Sequence, residues 1–205
     1  MTESTILASA SPRRKELLRL IYANSEFIII PSSIEEPPPD GQAPAEYAET
    51  LATAKAEHVA RRAPSALVIG CDTIVVQGAS ILSKPRDAAH AADMLRQLSG
   101  SRHQVITAVC LIKTDASGKE TGRRIFHVST GVQFAALRQE EIAHYVATGK
   151  PFDRAGAYGI QDNAGALFVS AIDGDYYTVV GFPLQRFYQE LKAFAPAMLP
   201  AGLRP

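Results

Sequence analysis

A chain of 205 residues is long enough for one large α/β domain or two small lobes, and on folding it should bury roughly 70% of the surface its unfolded form exposes. Its 21 Lys and Arg balance 21 Asp and Glu, which excludes a whole-molecule field drawing it to DNA, RNA or an acidic membrane; any anion it binds is held by a local cluster. The only cysteines, Cys71 and Cys110, lie in apolar runs and read as reduced core thiols rather than a disulfide framework, and no stretch approaches the roughly 18 apolar residues of a membrane span.

Thr5 to Ser9 reads as a short buried strand. Ser11 is an N-cap, Pro12 fits the first helical position, and Leu17, Leu18 and Ile21 supply an apolar helix face. Phe27 to Ile30 reads as a second strand, followed by the proline-rich loop SSIEEPPPDGQAP. Ala45 to Arg62 is a long helix stopped before Pro64, and Ala66 to Val76 is an apolar strand interrupted by Asp72. A helix over Ala88 to Leu98 ends at Gly100. Strands over Gln104 to Lys113 and Phe126 to Leu137 flank the turn-rich DASGKETG, and Glu140 to Ala147 is a further helix. The closing third runs through PFDRAGAYGIQDNAG, a β-like ALFVSAIDGDYYTVVGF and a helix from Pro183 to Phe194, with residues 195–205 expected as a loosely ordered tail. Helices and strands alternate, so the class is α/β with a mixed sheet. The start of the chain lacks a basic segment and long apolar core, so a cytoplasmic protein is expected.

Several residues stand out chemically. A helix N-terminus carries unpaired N–H groups and positive partial charge, so Arg13 and Arg14 in the first turn are unfavourable unless an anion joins them or they point into water. Asp72, among Ile69, Ile74, Val75 and Val76, needs a cation, a metal or a cleft, or else it caps a turn or pairs with an arginine. Glu35 and Glu36 offer a second carboxylate, and oxygen ligands combined with phosphate suit Mg²⁺. Lys84 in LSKPRD precedes a proline that fixes the chain, and Lys55 sits among small residues on its helix. A helix-terminus contact gives about 1 to 2 kcal/mol at best whereas micromolar binding needs about 8, so a polyphosphate site has to collect several cations. Neither GxxxxGK[ST] nor GxGxxG occurs, which argues against P-loop and dinucleotide-binding enzymes.

The segments SASPRRKELL, IEE, GCDTIVV, LSKPRD, LSGSRHQVITAV, FDRAGAYGIQ and GALFVSAIDGDYYTVVGFPL resemble, in order and over nearly the whole chain, the Maf family of nucleoside triphosphate pyrophosphatases. SPRR, KPRD and GAYGIQ resemble the branch acting on dTTP and UTP rather than the one acting on 7-methyl-GTP. The resemblance implies one Maf-like domain over residues 1–205, with a mixed central sheet flanked by helices and two lobes around a cleft. It implies that Asp72 accepts a proton, that Arg13, Thr73 and Gln161 set substrate choice, and that Arg14, Lys55 and Lys84 hold phosphates. It also implies Mg²⁺ or Mn²⁺ near Glu36 and Asp72, and a homodimer. The family usually has glycine after the glutamine, whereas Asp162 and Asn163 follow Gln161 here, a departure that bears on base preference. The family is also associated with septum formation, so the competing expectation is a nucleotide-binding regulator of cell division with incidental hydrolysis.

Overall fold

The computed structural model describes residues 3–22 and 27–204. The chain forms two compact units, the first from Met1–Asp72, Thr107–Val128 and Gly181–Pro205 and the second from Thr73–Ile106 and Ser129–Val180.

In the first unit, strand β1 (Ser4–Leu7) leads into helix α1 (Pro12–Arg19), strand β2 (Phe27–Ile29) precedes the proline-rich loop, and helix α2 (Pro44–Ala60) leads into strand β3 (Ala66–Gln77). β1 pairs in parallel with both neighbours, Thr5 standing opposite Phe27 on one side and Leu67 on the other. A parallel strand covered on both faces reads as a continuous apolar run, which is why residues 66–71 carry no polar side chain and are buried throughout. Helix α6 (Leu184–Phe194) supplies Phe187 to the core, its ring 4.9 Å from that of Phe182. Residues 196–198 and 201–203 form two short 3₁₀ turns. Leu199 between them is 1% exposed, and the Tyr22 hydroxyl donates to the Met198 carbonyl at 3.0 Å.

In the second unit, the far end of β3 pairs antiparallel with β4 (Ser80–Leu82), Val76 opposite Ile81. Helices α3 (Ala88–Leu98) and α4 (Gln139–Ala147) cover a core that includes Val75, Leu95, Phe134, Tyr145, Tyr158 and Phe168. The strands β5 (Arg102–Thr114) and β6 (Glu120–Phe134) contribute residues to both units, and β6 pairs antiparallel with β7 (Val169–Asp173). The order along the hydrogen-bonded path is β2-β1-β3-β5-β6-β7, a mixed sheet as expected.

The β-like stretch after Gly165 departs from expectation, since only Val169–Asp173 is strand and Tyr176–Val180 is a short helix, α5. Gly174 takes φ +130°, and Asp175 then accepts from the Thr178 N–H at 2.6 Å and its hydroxyl at 2.7 Å. That local cap turns an apolar, β-branched run into a helix. Both cysteines are free and buried, and among the described residues no helix is long and apolar enough to cross a membrane.

Candidate active site

Asp72 ends the first unit's share of β3 and is 6% exposed. Helix α2 passes over the strand at Gly70, where a Cβ would lie 2.2 Å from the Ala52 carbonyl oxygen and 2.7 Å from the Ala56 nitrogen. Backbone approaches backbone only because the glycine has no side chain. Lys55, on that turn of α2, reaches over and pairs with the Asp72 carboxylate and, at 2.7 Å, with Glu36 Oε1. One ammonium therefore gathers a carboxylate from a strand and another from the proline-rich loop. The loop is tied to the same helix by Tyr47, whose hydroxyl donates to the Pro37 carbonyl at 2.7 Å.

Burial is the largest influence on Asp72 and pushes its carboxyl above the usual range; Lys55 and then Arg14 pull it back, and Glu36 adds to the rise. The Tyr47 phenol is likewise pushed up, first by burial and then by the charges of Asp72 and Glu36.

Arg14 arrives from α1. Ser11 caps the helix by accepting from the Arg14 N–H at 3.5 Å, Pro12 begins it, and the first turn contains no acidic residue. The Arg14 side chain does not extend into water: Nε donates to the Gly181 carbonyl at 3.1 Å and Nη1 to the Ser9 hydroxyl at 3.3 Å. The same Gly181 carbonyl accepts from the Cys71 thiol at 3.4 Å, and burial pushes that thiol up to about 11. Arg13, beside Arg14 on α1, is half-buried. The first unit thus brings together Arg14, Lys55, Glu36 and Asp72.

Thr73, Lys84 and Gln161 belong to the second unit. Thr73 follows Asp72 on β3, half-buried, and strand alternation sends the two side chains to opposite faces. Lys84 is exposed just beyond β4. The carbonyl of Ser83 before it accepts from the Gly156 N–H at 3.2 Å, so the segments carrying Lys84 and Gln161 are joined. Gln161 is exposed, and Asp162 after it is buried and paired with Arg154 at 2.8 Å.

The family model for Maf-like proteins matches residues 4–194, which takes in every segment just described. The chain belongs to the Maf family. Its curated relatives include a dTTP/UTP pyrophosphatase from Symbiobacterium thermophilum, 45% identical with 98% of each chain covered. Another dTTP/UTP pyrophosphatase, from a Geobacillus species, is 48% identical over 91% of this chain and 96% of its own. A third, from Bacillus cytotoxicus, is 47% identical over 92% of this chain and 94% of its own.

In this Maf chain no group of three or more His, Cys, Asp or Glu side chains stands ready for a metal among the described residues. Glu36 and Asp72 are nevertheless hard oxygen donors already drawn together around a cation, the Lys55 ammonium. Mg²⁺ takes one or two carboxylates and completes its coordination with water and substrate phosphates, so this donor pair fits such an ion. Sequence reasoning passed over Ser9, Tyr47 and Gly70. For Gly70 a signal existed, since a glycine inside an apolar strand marks close backbone approach; Tyr47 reads as core, and the Ser9 contact depends on the fold.

Proposed function

We propose that this Maf chain is a nucleoside triphosphate pyrophosphatase that hydrolyses dTTP and UTP to the monophosphate and pyrophosphate. The observation that carries the reading is the buried Asp72 held by Lys55 beside Glu36 and within the electrostatic reach of Arg14. Relatives of that name at 45% identity over nearly the full length support the substrate class.

Water adds across the anhydride between the α and β phosphorus atoms. A new P–O bond forms, the bridging P–O bond breaks, pyrophosphate leaves, and Asp72 takes the proton from the attacking water. A carboxylate raised by burial is a stronger base than a solvated one, which suits that role. Arg14, Lys55 and Lys84 hold phosphate oxygens and offset the charge that shifts onto them. Glu36 and Asp72 would hold a divalent cation, which would supply further charge neutralisation. Gln161 presents one acceptor and one donor, matching a carbonyl oxygen and the N3–H of uracil or thymine, and Arg13 and Thr73 share in base choice. The reading treats residues 1–205 as a single Maf-like domain, cytoplasmic and homodimeric, on the strength of the family match across both units.

The test is pyrophosphate release from a nucleotide panel with Mg²⁺ or Mn²⁺. Wild type should favour UTP and dTTP over CTP and GTP, and Asp72→Asn should lose roughly 10³-fold in kcat while still binding nucleotide. Near-normal turnover in that variant, or preference for 7-methyl-GTP, overturns the reading.

A further inference from the structure

An exposed amide reads a base only if its backbone is held. A glutamine turned through half a rotation offers its donor where its acceptor stood and then suits cytosine as well as uracil. The residue next to Gln161 is built as an anchor. Asp162 is 7% exposed; its Oδ2 accepts from the Tyr145 hydroxyl at 2.8 Å and its Oδ1 from Arg154 Nη2 at 2.8 Å. Tyr145 also accepts from the Gly159 N–H at 3.1 Å, so one phenol clasps both ends of the turn. The backbone closes the same circle: Asp162 N–H donates to the Gly159 carbonyl at 3.0 Å, and Ala166 N–H to the Asp162 carbonyl at 2.7 Å. A Cβ at Gly159 would fall 2.7 Å from Asp162 Oδ2 and push the clamped carboxylate aside, and none fits at Gly165, where it would fall 2.4 Å from the Gly159 carbonyl oxygen.

A buried ion pair is a poor device for stability, because desolvation offsets most of its attraction and an apolar replacement often folds as well or better. Here the two carboxylate oxygens of Asp162 are each held by a separate donor, Tyr145 and Arg154, which fixes the carboxylate in place. Upstream, the segment is already secured elsewhere: the Gly156 N–H is bonded to the Ser83 carbonyl and the Tyr158 hydroxyl to His103 Nε2 at 2.8 Å. The carboxylate of Asp162 holds the remaining turn, the one from which Gln161 projects.

We propose that Asp162, clamped by Tyr145 and Arg154, is a positioning residue for base choice: it fixes the backbone from which Gln161 reads the pyrimidine. The proposal rests on the reading of Gln161 as the base-selecting amide.

The test compares kcat and KM for UTP and CTP in wild type, Gln161→Ala, Asp162→Ala and Asp162→Asn. Asp162→Ala should reduce the UTP over CTP preference about tenfold, through KM for UTP more than through kcat. Asp162→Asn keeps an acceptor for Arg154 and a polar atom for Tyr145, and should recover most of that preference. If Gln161→Ala loses the preference and Asp162→Ala keeps it, the base-reading assignment stands and the positioning role is overturned. If Gln161→Ala keeps the preference, the assignment falls and the proposal with it. Equal losses for UTP and CTP in Asp162→Ala, confined to kcat, also overturn it. Should Asp162→Ala fail to fold, Tyr145→Phe removes one of the two donors; a smaller loss of preference supports the role and an unchanged ratio overturns it.

Discussion

The Lys55 ammonium meets the Asp72 carboxylate because nothing larger than a hydrogen atom separates helix α2 from strand β3 at Gly70. Gly70→Ala would press a methyl group into the Ala52 carbonyl and the Ala56 nitrogen, both backbone atoms of a helix that cannot yield locally. We expect a loss of about 2 kcal/mol or more in urea unfolding, in the range of core overpacking, and a kcat deficit in the folded fraction because α2 carries Lys55 away. A variant as stable and as active as wild type would show that the helix has room to move.

Lys55 is also the strongest influence opposing burial at Asp72. Asp72 accepts a proton only when ionised, so turnover falls as the pH drops through its titration. Taking away the ammonium in Lys55→Met leaves desolvation less opposed, the carboxyl climbs further, and the acid limb of the kcat profile moves to higher pH. The profile is measured at saturating UTP and metal, which separates this shift from the weaker phosphate binding the variant also suffers. A limb that stays put or moves toward acid contradicts the coupling.

The Tyr47 hydroxyl holds the Pro37 carbonyl, one residue beyond Glu36. Tyr47→Phe frees that loop. The half-saturating concentration of Mg²⁺ or Mn²⁺ should rise about tenfold, the scale seen when an outer contact behind a ligand is removed, with the UTP over CTP preference unchanged. An unaltered metal requirement would remove Glu36 from the metal's surroundings.

These cases also separate what sequence can carry from what it cannot. Strand β3 was legible as an apolar run, and Asp72 as its anomaly, because burying a lone carboxylate has a large known cost. The helix over 88–98 was legible to the residue from its apolar period and the stop at Gly100, and the structure adds Asp87 as its N-cap. The partners of Asp72 were visible only as scattered cations, since pairing Lys55 with it depends on how α2 crosses β3. Helix α5 was missed because Tyr176, Tyr177, Val179 and Val180 are strand formers, overruled by a single side-chain cap at Asp175. Asp162 was noticed only as an oddity after Gln161; its role as an anchor needs Tyr145 and Arg154, which the fold brings from elsewhere in the chain.

His103 offers a test of the second unit's core that is independent of catalysis. The ring is 2% exposed, Nε2 shares a hydrogen bond with the Tyr158 hydroxyl at 2.8 Å, and the rings of Phe134 and Tyr158 meet it edge-on at 5.0 and 5.4 Å. Nδ1 is buried with no hydrogen-bond partner among the described residues. Burial lowers the imidazole to about 4 from its ordinary 6.5. Between those two values the unfolded chain binds a proton that the folded one refuses, so stability rises with pH across the window and is lost as pH falls from 6.5 toward 4. At about 1.4 kcal/mol per unit the full window amounts to at most about 3.5 kcal/mol. His103→Gln retains a polar atom for Tyr158 but does not titrate. Its urea midpoint should therefore change less between pH 7 and pH 4.5 than that of wild type, the two curves diverging only on the acid side. Parallel curves would mean that the imidazole takes up its proton in the folded state without penalty.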